Sequence, residues 1–235
     1  NSNTAVGWKC GDAITTGHEN TLIGKDCGGA LTTGRSNVAM GYETFLLNTS
    51  GEYNTAIGYE ALRANTTAHN NVAVGRRALG ANTTGDGVVA MGRNALAENT
   101  TGTNCVGIGY QALTNNTTAT ANNALGFQSL YLNTTGTSNN AFGKDAIRVC
   151  TTGYNNSGFG HGAIENVTTG VNNMGLGYNS QASSATVYNE ITLGDSNISN
   201  LRCQDTSIST VSDERDKTNI VDIPLGLTFL NTVRP

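Results

Sequence analysis

The sequence predicts an all-β protein, a parallel β-solenoid built from rungs of 17 residues. The main observation is a glycine that recurs at every seventeenth position, twelve times in succession. A fixed short period indicates one structural unit stacked many times. The series is Gly7, Gly24, Gly41, Gly58, Gly75, Gly92, Gly109, Gly126, Gly143, Gly160, Gly177 and Gly194.

The columns around this glycine are also regular. We number positions from it, so that position −1 precedes the repeat glycine and position +1 follows it. Position −1 is apolar in all twelve copies, position −2 is mostly Ala or Gly, and position −4 is Asn in nine copies. Position +4 is often Leu, position +8 is Thr in the first ten copies, and position +10 is Gly in eight of those ten. We expect positions −1, −2 and +4 to face the interior as ladders of stacked side chains.

The length of the rung excludes helical repeats, which need more than about thirty residues. Two strands of four or five residues, each ended by a turn, fit a rung of this length. Asn and Gly accept the left-handed backbone of tight turns, and Thr suits an extended segment. At a strand spacing of about 4.8 Å, the rungs predict a rod of roughly 55 Å.

Each rung encloses little space, so a thin solenoid leaves an apolar face uncovered. Two further copies of the chain would cover that face, and we therefore expect an intertwined homotrimeric fibre. A wider monomeric solenoid is the alternative.

The composition argues against several classes of protein. The formal net charge is −4, with 13 Lys and Arg against 17 Asp and Glu, so nucleic acid is not an expected partner. No apolar run approaches the length of a membrane span. No Cys, His, Asp and Glu spacing predicts a metal site, and no cofactor is expected. The chain begins inside a repeat. We therefore expect it to belong to a longer fibre, whose preceding part contacts other proteins of an assembled particle.

The five cysteines do not form a complete set of intrachain pairs. Cys10 and Cys27 share position +3 on successive rungs, where a disulfide is geometrically conceivable. The alternative is two buried thiols that act as small apolar side chains. Cys105, Cys150 and Cys203 are interpreted as isolated core substitutions.

Two surface columns are candidate binding or modification sites. Asn-Thr-Thr or Asn-Thr-Ser sequons recur at position +7, where they are either glycosylation acceptors or simply the residues that the turn requires. These are Asn48, Asn65, Asn82, Asn99, Asn116 and Asn133. Position +1 is often aromatic and elsewhere basic, either a ladder that stabilises neighbouring rungs or a surface that grips a sugar polymer. The aromatic members are Trp8, Tyr42, Tyr59, Tyr110, Phe127 and Tyr178.

The repeats resemble the head domains of trimeric autotransporter adhesins. The resemblance rests on phrases such as Asn54-Thr-Ala-Ile-Gly58 and Asn71-Val-Ala-Val-Gly75, and it covers residues 1–181. It implies a trimer of left-handed parallel β-rolls. The adhesin rungs are usually a little shorter, and the extra residues here are expected to enlarge the Asn-Thr-Thr-Gly turn.

The end of the chain differs in character, and we predict a neck or extended trimeric linker over 182–211 and the truncated start of a further domain over 212–235. Ser212-Asp-Glu-Arg-Asp-Lys217-Thr-Asn-Ile220 resembles the start of the endosialidase-type intramolecular chaperone domain, also called peptidase S74, of phage tail fibres. That family trimerises β-fibres and then cuts itself off with a Ser–Lys pair. The resemblance implies Ser212 as nucleophile and Lys217 as base, supported by Asp213 and Arg215. The alternative is a solvated charged turn with Ser212 as a helix N-cap.

Together these features predict a structural viral fibre, such as a tail fibre, that attaches to a host receptor or glycan. It would lie outside the cell on the virion surface. The only expected enzymatic activity is autoproteolysis beside Ser212. A cellular or secreted surface adhesin is the alternative, and a polysaccharide depolymerase is less favoured because the repeats hold no recurring carboxylate pair.

Overall fold

The computed structural model describes residues 2–200 and residue 202, and within them the regular secondary structure is entirely β. Twelve parallel strands of three residues form one sheet in chain order, one strand for each rung. The predicted parallel β-solenoid with 17-residue rungs is therefore confirmed. The strands are β1 (Thr4–Val6), β2 (Thr21–Ile23), β3 (Val38–Met40), β4 (Thr55–Ile57), β5 (Val72–Val74), β6 (Val89–Met91), β7 (Val106–Ile108), β8 (Asn123–Leu125), β9 (Asn140–Phe142), β10 (Ser157–Phe159), β11 (Met174–Leu176) and β12 (Ile191–Leu193).

Neighbouring rungs are joined around much of their circumference and not only through the strands. In the sheet, each residue lies opposite the residue 17 positions further on, as Val72 lies opposite Val89. Outside the sheet, the backbone amide of Leu62 donates to the carbonyl of Ala78 at 3.0 Å. Backbone groups that would otherwise be buried without partners are satisfied in this way by the next rung.

Each rung contains one short strand and a series of turns, so the prediction of two strands of four or five residues was wrong. The backbone is left-handed at most residues of positions +2, +4 and +12, as at Glu60 (φ 54°), Leu62 (φ 51°) and Asn70 (φ 59°). Bulky residues rarely adopt this conformation, which costs about 1 kcal/mol or more. A closed rung of 17 residues needs several sharp corners, and at position +4 full burial of the side chain offsets the strain.

The repeat glycine is required by both its conformation and its surroundings. Gly75 has φ of 131°, which side chains rarely tolerate. A Cβ atom at Gly75 would also lie 2.6 Å from the carbonyl oxygen of Gly92 on the next rung. Successive rungs therefore approach each other too closely at this column for any other residue.

The interior is formed by positions −2, +3 and +4, together with two columns of asparagine. Ala56 and Leu62 are fully buried, so the prediction for positions −2 and +4 is confirmed. The prediction for position −1 was wrong, because Ile57 is 37% exposed and most of its column is similarly open. Side chains alternate along a strand, so burial of position −2 turns positions −3 and −1 outward.

The first two rungs fill the same interior with a different pair of residues. Position +4 is glycine at Gly11 and Gly28, where most later rungs have leucine. Position −2 is correspondingly enlarged to Leu22, which is fully buried. A Cβ at Gly28 would lie 2.9 Å from Cδ1 of Leu22, so the leucine occupies the space that the glycines leave.

The solenoid extends beyond residue 181, into the segment predicted as the neck. Met174 pairs with Ile191 in the same 17-residue register as the earlier rungs. The amide of Thr168 also donates to the carbonyl of Ala185 at 2.8 Å. The described solenoid lies within one compact unit, Asn1–Ile198, and a second unit comprises Ser199–Pro235.

Candidate functional site

The outer face of the sheet is uncharged along the solenoid and apolar on every rung at position −1, whereas position −3 is Thr, Asn or Ser on six of the twelve rungs. It consists of positions −3 and −1, which we call the outer sheet face. Neither position carries a charged residue on any of the twelve rungs. At position −1, Met40 is 42% exposed, Met91 is 41% exposed and Leu125 is 45% exposed. The continuous apolar stripe is thus the column at position −1, and exposed apolar stripes are a feature of many contact surfaces.

The sequence prediction expected an uncovered apolar face but assigned position −1 to the interior, although a signal for its true orientation was present. The strand segments read Val38-Ala-Met40 and Val72-Ala-Val74, with a small residue between two larger apolar ones. Strict alternation over three residues predicts that only the middle residue points into a thin core.

Position +1 borders the outer sheet face and forms an aromatic and cationic column. The six aromatic residues predicted there are all exposed, as the prediction of a surface ladder requires. Tyr42 and Tyr59 stack with ring centroids 5.3 Å apart and planes at 11°. Tyr110 and Phe127 stack likewise at 5.4 Å and 10°. Tyr178 instead meets His161 edge to face, with centroids 5.4 Å apart.

A basic side chain lies beyond each end of both stacked pairs. Lys25 Nζ is 4.8 Å from the ring centroid of Tyr42, and the guanidinium of Arg76 is 5.7 Å from that of Tyr59. Such contacts contribute about 0.5–1 kcal/mol each at exposed sites. The same contacts flank the second pair, from Arg93 to Tyr110 at 5.6 Å and from Lys144 to Phe127 at 5.8 Å.

Several charges near this column are neutralised by carboxylates at position +2. Lys25 pairs with Asp26 at 2.8 Å, and the hydrogen bond to that carboxylate raises the pKa of Lys25. Lys144 lies 3.6 Å from Asp145. Around the first stacked pair, a hydrogen bond from Arg63 lowers the pKa of Glu43. The ends of the column thus carry little uncompensated charge.

The six asparagines of the recurring sequons are buried inside the rod. All six side chains are fully inaccessible, and most of their amide groups form a ladder along the axis. The Nδ2 of Asn99 donates to Oδ1 of Asn82 at 2.9 Å and to the carbonyl of Gly102 at 3.0 Å. The nitrogen that would carry a glycan is therefore occupied in the folded chain, and the arrangement follows the turn interpretation of the motif.

Asparagines at position −4 form a second buried ladder. The backbone amide of Asn54 donates to Oδ1 of Asn37 at 3.0 Å, and Nδ2 of Asn54 donates to the carbonyl of Ala68 at 2.9 Å. Each side chain thus links two rungs and satisfies groups that the turns leave open. Where Val88 replaces asparagine, its backbone amide still donates to Oδ1 of Asn71 at 2.8 Å.

The four cysteines in the described part of the chain are free thiols. Cys27, Cys105 and Cys150 are buried, whereas Cys10 is half-buried. Burial raises the pKa of both Cys27 and Cys150 to about 12. These groups are therefore protonated and act as small apolar side chains with weak donors. Cys203 lies outside the described residues.

The predicted self-cleavage residues Ser212, Asp213, Arg215 and Lys217 lie outside the described residues, so their roles stay predictions. Within residues 2–200 and 202, no group of three His, Cys, Asp or Glu side chains is placed to hold a metal ion. In the same range, no helix has the length and apolarity needed to cross a membrane.

The fold and its columns define a class of protein, the parallel β-solenoid repeat proteins with one tightly turned rung per 17 residues. No protein-family model matches the chain, and a search of curated proteins gives no match.

Proposed function

We propose that the chain is a structural fibre protein that assembles as a homotrimer through its outer sheet face. In this proposal the rod is part of a viral tail fibre or a similar appendage outside the cell, and it attaches the particle to a host surface. The observation that supports it is the outer sheet face, which is free of charge over twelve rungs and apolar on every one of them at position −1. An isolated soluble rod gains nothing from such a stripe, because exposed apolar surface favours association.

The placement of charge favours this face over the other surfaces of the rod. Position +1, directly beside it, carries Lys25, Arg76, Arg93 and Lys144. Burying such cations between chains without partners would cost several kcal/mol each. We therefore place the contact between copies at positions −3 and −1, with position +1 at the solvent-facing edge.

The oligomeric state tests the assembly. The mass of the protein in solution, measured by sedimentation or light scattering, is expected to be three times 24.4 kDa. Ile57→Glu together with Met91→Glu should shift it to the monomer, because each places a charge within the contact. Thr67→Glu with Thr84→Glu, on the exposed position +9, is the matched control and should stay trimeric. A monomer of wild-type chain at micromolar concentration would contradict the proposal.

We further propose that the segment from Ser212 begins a chaperone domain that fixes the register of the three chains and then removes itself. Its support is the resemblance of 212–220 and the physical need for it. A slip of one rung between chains restores nearly every contact, so the repeats alone specify register weakly. In the full-length product, a new terminus beside Ser212 that disappears in Ser212→Ala is the expected result by intact mass. An uncut product would remove the self-cleavage step while leaving the trimer measurement unaffected.

A further inference from the structure

The aromatic and cationic column contains the same four-rung arrangement twice in succession. It reads Lys25, Tyr42, Tyr59, Arg76 and then Arg93, Tyr110, Phe127, Lys144. Each unit is a stacked aromatic pair with a cation over either end. The two units meet at Arg76 and Arg93, which therefore occupy adjacent rungs of one column.

Adjacent arginines in one column are unfavourable for the rod itself. The backbone amide of Asn94 donates to the carbonyl of Arg76 at 2.9 Å, so the two rungs are in direct contact. Like charges that face each other across neighbouring strands destabilise a sheet. A purely stabilising ladder would place an aromatic residue at one of the two positions, as the chain does on both sides of Lys25 with Trp8 and Tyr42.

These two guanidinium groups also lack the carboxylates that neutralise other cations of the rod. Lys25, Arg35, Arg63, Arg77, Lys144 and Arg148 each form an ion pair. Neither Arg76 nor Arg93 forms one with any residue that the structure describes, and both side chains are exposed. Position +2 of their own rungs holds Arg77 and Asn94, unlike the acids on the rungs of Lys25 and Lys144, and Glu60 on the preceding rung pairs with Arg77 at 3.6 Å. A positive pair is thus left open on a chain whose net charge is −4.

We propose that this stretch of position +1, from Tyr42 to Phe127, binds an acidic polysaccharide. Arg76 and Arg93 hold its anionic groups at the centre, and the exposed edges of the two aromatic pairs contact its sugars on either side. Guanidinium groups bind carboxylates and related anions with charge-assisted hydrogen bonds. Both faces of each ring are covered by the neighbouring ring or cation, so a sugar contacts the exposed ring edges and the tyrosine hydroxyl groups, which can form hydrogen bonds. The inference deepens the proposed function, because it rests on the rod being a fibre that meets a host surface.

The symmetry of the arrangement favours a polymer over a small anion. Six successive rungs present ring, ring, cation, cation, ring and ring at a spacing of about 4.8 Å. A single phosphate or acetate would engage the two arginines and leave the rings unused. An extended chain of sugars that carries charge at intervals can contact all six positions.

Binding to defined polymers tests the proposal on the full 235-residue protein. Polygalacturonate supplies sugar rings with carboxylates, dextran sulfate supplies sulfates, dextran supplies neutral rings, and poly(dT) supplies an anion without pyranose sugars. By calorimetry or fluorescence anisotropy, we expect polygalacturonate or dextran sulfate to bind at least about tenfold more tightly than dextran and poly(dT). The ratio of the affinities for polygalacturonate and dextran sulfate identifies whether the site prefers carboxylate or sulfate. Equal binding of poly(dT) would show a general polyanion effect and overturn the proposal.

Substitutions separate a specific site from overall charge. Arg76→Gln with Arg93→Gln should weaken binding about tenfold or more. Arg35→Gln with Arg148→Gln is the matched control, because it removes the same charge and two comparable cation–ring contacts from already paired side chains. It should change affinity less than about threefold. Equal losses in both variants would overturn the proposal.

The aromatic half of the site is tested without altering charge. Tyr59→Leu with Tyr110→Leu should weaken binding by about tenfold while the mass in solution is unchanged. The oligomer mass of every variant is measured alongside. If Arg76→Gln with Arg93→Gln lowers the mass, the arginines contact another copy of the chain and the glycan proposal fails. A wild-type protein that is not a trimer in solution would contradict the proposed fibre assembly. The binding measurements would still test the glycan site independently.

Discussion

At the scale of single residues, the stability of the buried asparagine ladder depends more on the hydrogen-bonding groups of each side chain than on its volume. Asn99 donates to two acceptors and accepts from Nδ2 of Asn116 at 2.8 Å. Asn99→Asp would keep the shape but turn a carboxylate toward two other oxygens. We expect a loss of about 3 kcal/mol in the free energy of unfolding, because the buried carboxylate would keep Asn116 as a donor but face two acceptor oxygens that repel it.

Chemical denaturation of the variants measures this effect. Asn99→Val should cost less, about 1–2 kcal/mol, since Val167 already occupies the same column. Asn155→Asp, on an exposed turn, is the control and should leave stability within about 0.5 kcal/mol. An Asn99→Asp variant as stable as the wild type would show that the ladder is not maintained in solution.

The buried thiols give a second expectation at this scale. With a pKa of about 12, Cys150 is almost entirely protonated at pH 8, and only about one part in ten thousand is thiolate. In a variant that keeps Cys150 as its only cysteine, a disulfide reagent should react slowly until the chain is unfolded. The reaction should accelerate as the pH rises toward the pKa. Rapid labelling of the folded chain at pH 8 would contradict the buried position.

At the scale of the rung, the first two rungs offer a test of complementary packing. Leu22→Ala should cost about 3 kcal/mol, because it removes the side chain that fills the space beside Gly11 and Gly28. Adding Gly28→Leu should recover much of that loss, since other rungs hold a left-handed leucine at this position, as at Leu62.

A double-mutant cycle of Leu22→Ala and Gly28→Leu tests whether the two side chains share one space. Gly28→Leu alone should destabilise the protein, because its Cβ would lie 2.9 Å from Leu22. The two changes together should therefore show a favourable coupling energy of more than about 1 kcal/mol. Additive losses would mean that the two sites do not share one space.

The rung also shows how far the sequence could predict the structure. The period, the parallel register and burial of the Ala and Leu columns follow directly from the repeat, because a fixed spacing aligns like residues. Position −1 was assigned to the wrong side, as apolar character alone does not tell a core from an interface. The asparagines at position +7 were read either as glycosylation acceptors or as turn residues, and their burial depends on tertiary contacts between rungs that no local propensity specifies.

The candidate surface was only partly predictable. Aromatic residues at position +1 were identified as an exposed ladder, and the basic residues were noted as separate members of the column. Their order, a cation at each end of two rings, is visible in the sequence once the rungs are aligned. That Arg76 and Arg93 form no ion pair within the described part of the chain could be seen only in the structure, because Arg77 and Arg63 look similar in sequence yet lie beside Glu60 and Glu43.

At the scale of the whole molecule, the rod should tolerate the loss of an entire rung but not of part of one. Deletion of residues 120–136 removes 17 residues and returns every later residue to its own column. We expect a folded protein with a cooperative melting transition and a slightly smaller hydrodynamic radius. Deletion of residues 120–135 removes one residue fewer and displaces all later columns, so the chain should unfold in part or aggregate.

Circular dichroism and size-exclusion chromatography distinguish the two products. The pair is well matched, because the compositions differ by Gly136 alone. If both deletions behaved alike, the 17-residue register would not be what holds the rod together.

The hydrogen bonds between rungs give the rod a particular response to mechanical load. They run from one rung to the next, as between Leu62 and Ala78, and therefore lie along the direction in which a fibre is pulled. Tension applied to the two chain ends would open one rung at a time instead of the whole core. Each opened rung releases 17 residues of extended chain, roughly 55 Å, while its neighbours remain folded. The rod can in this way lengthen in equal steps and dissipate mechanical energy under tension.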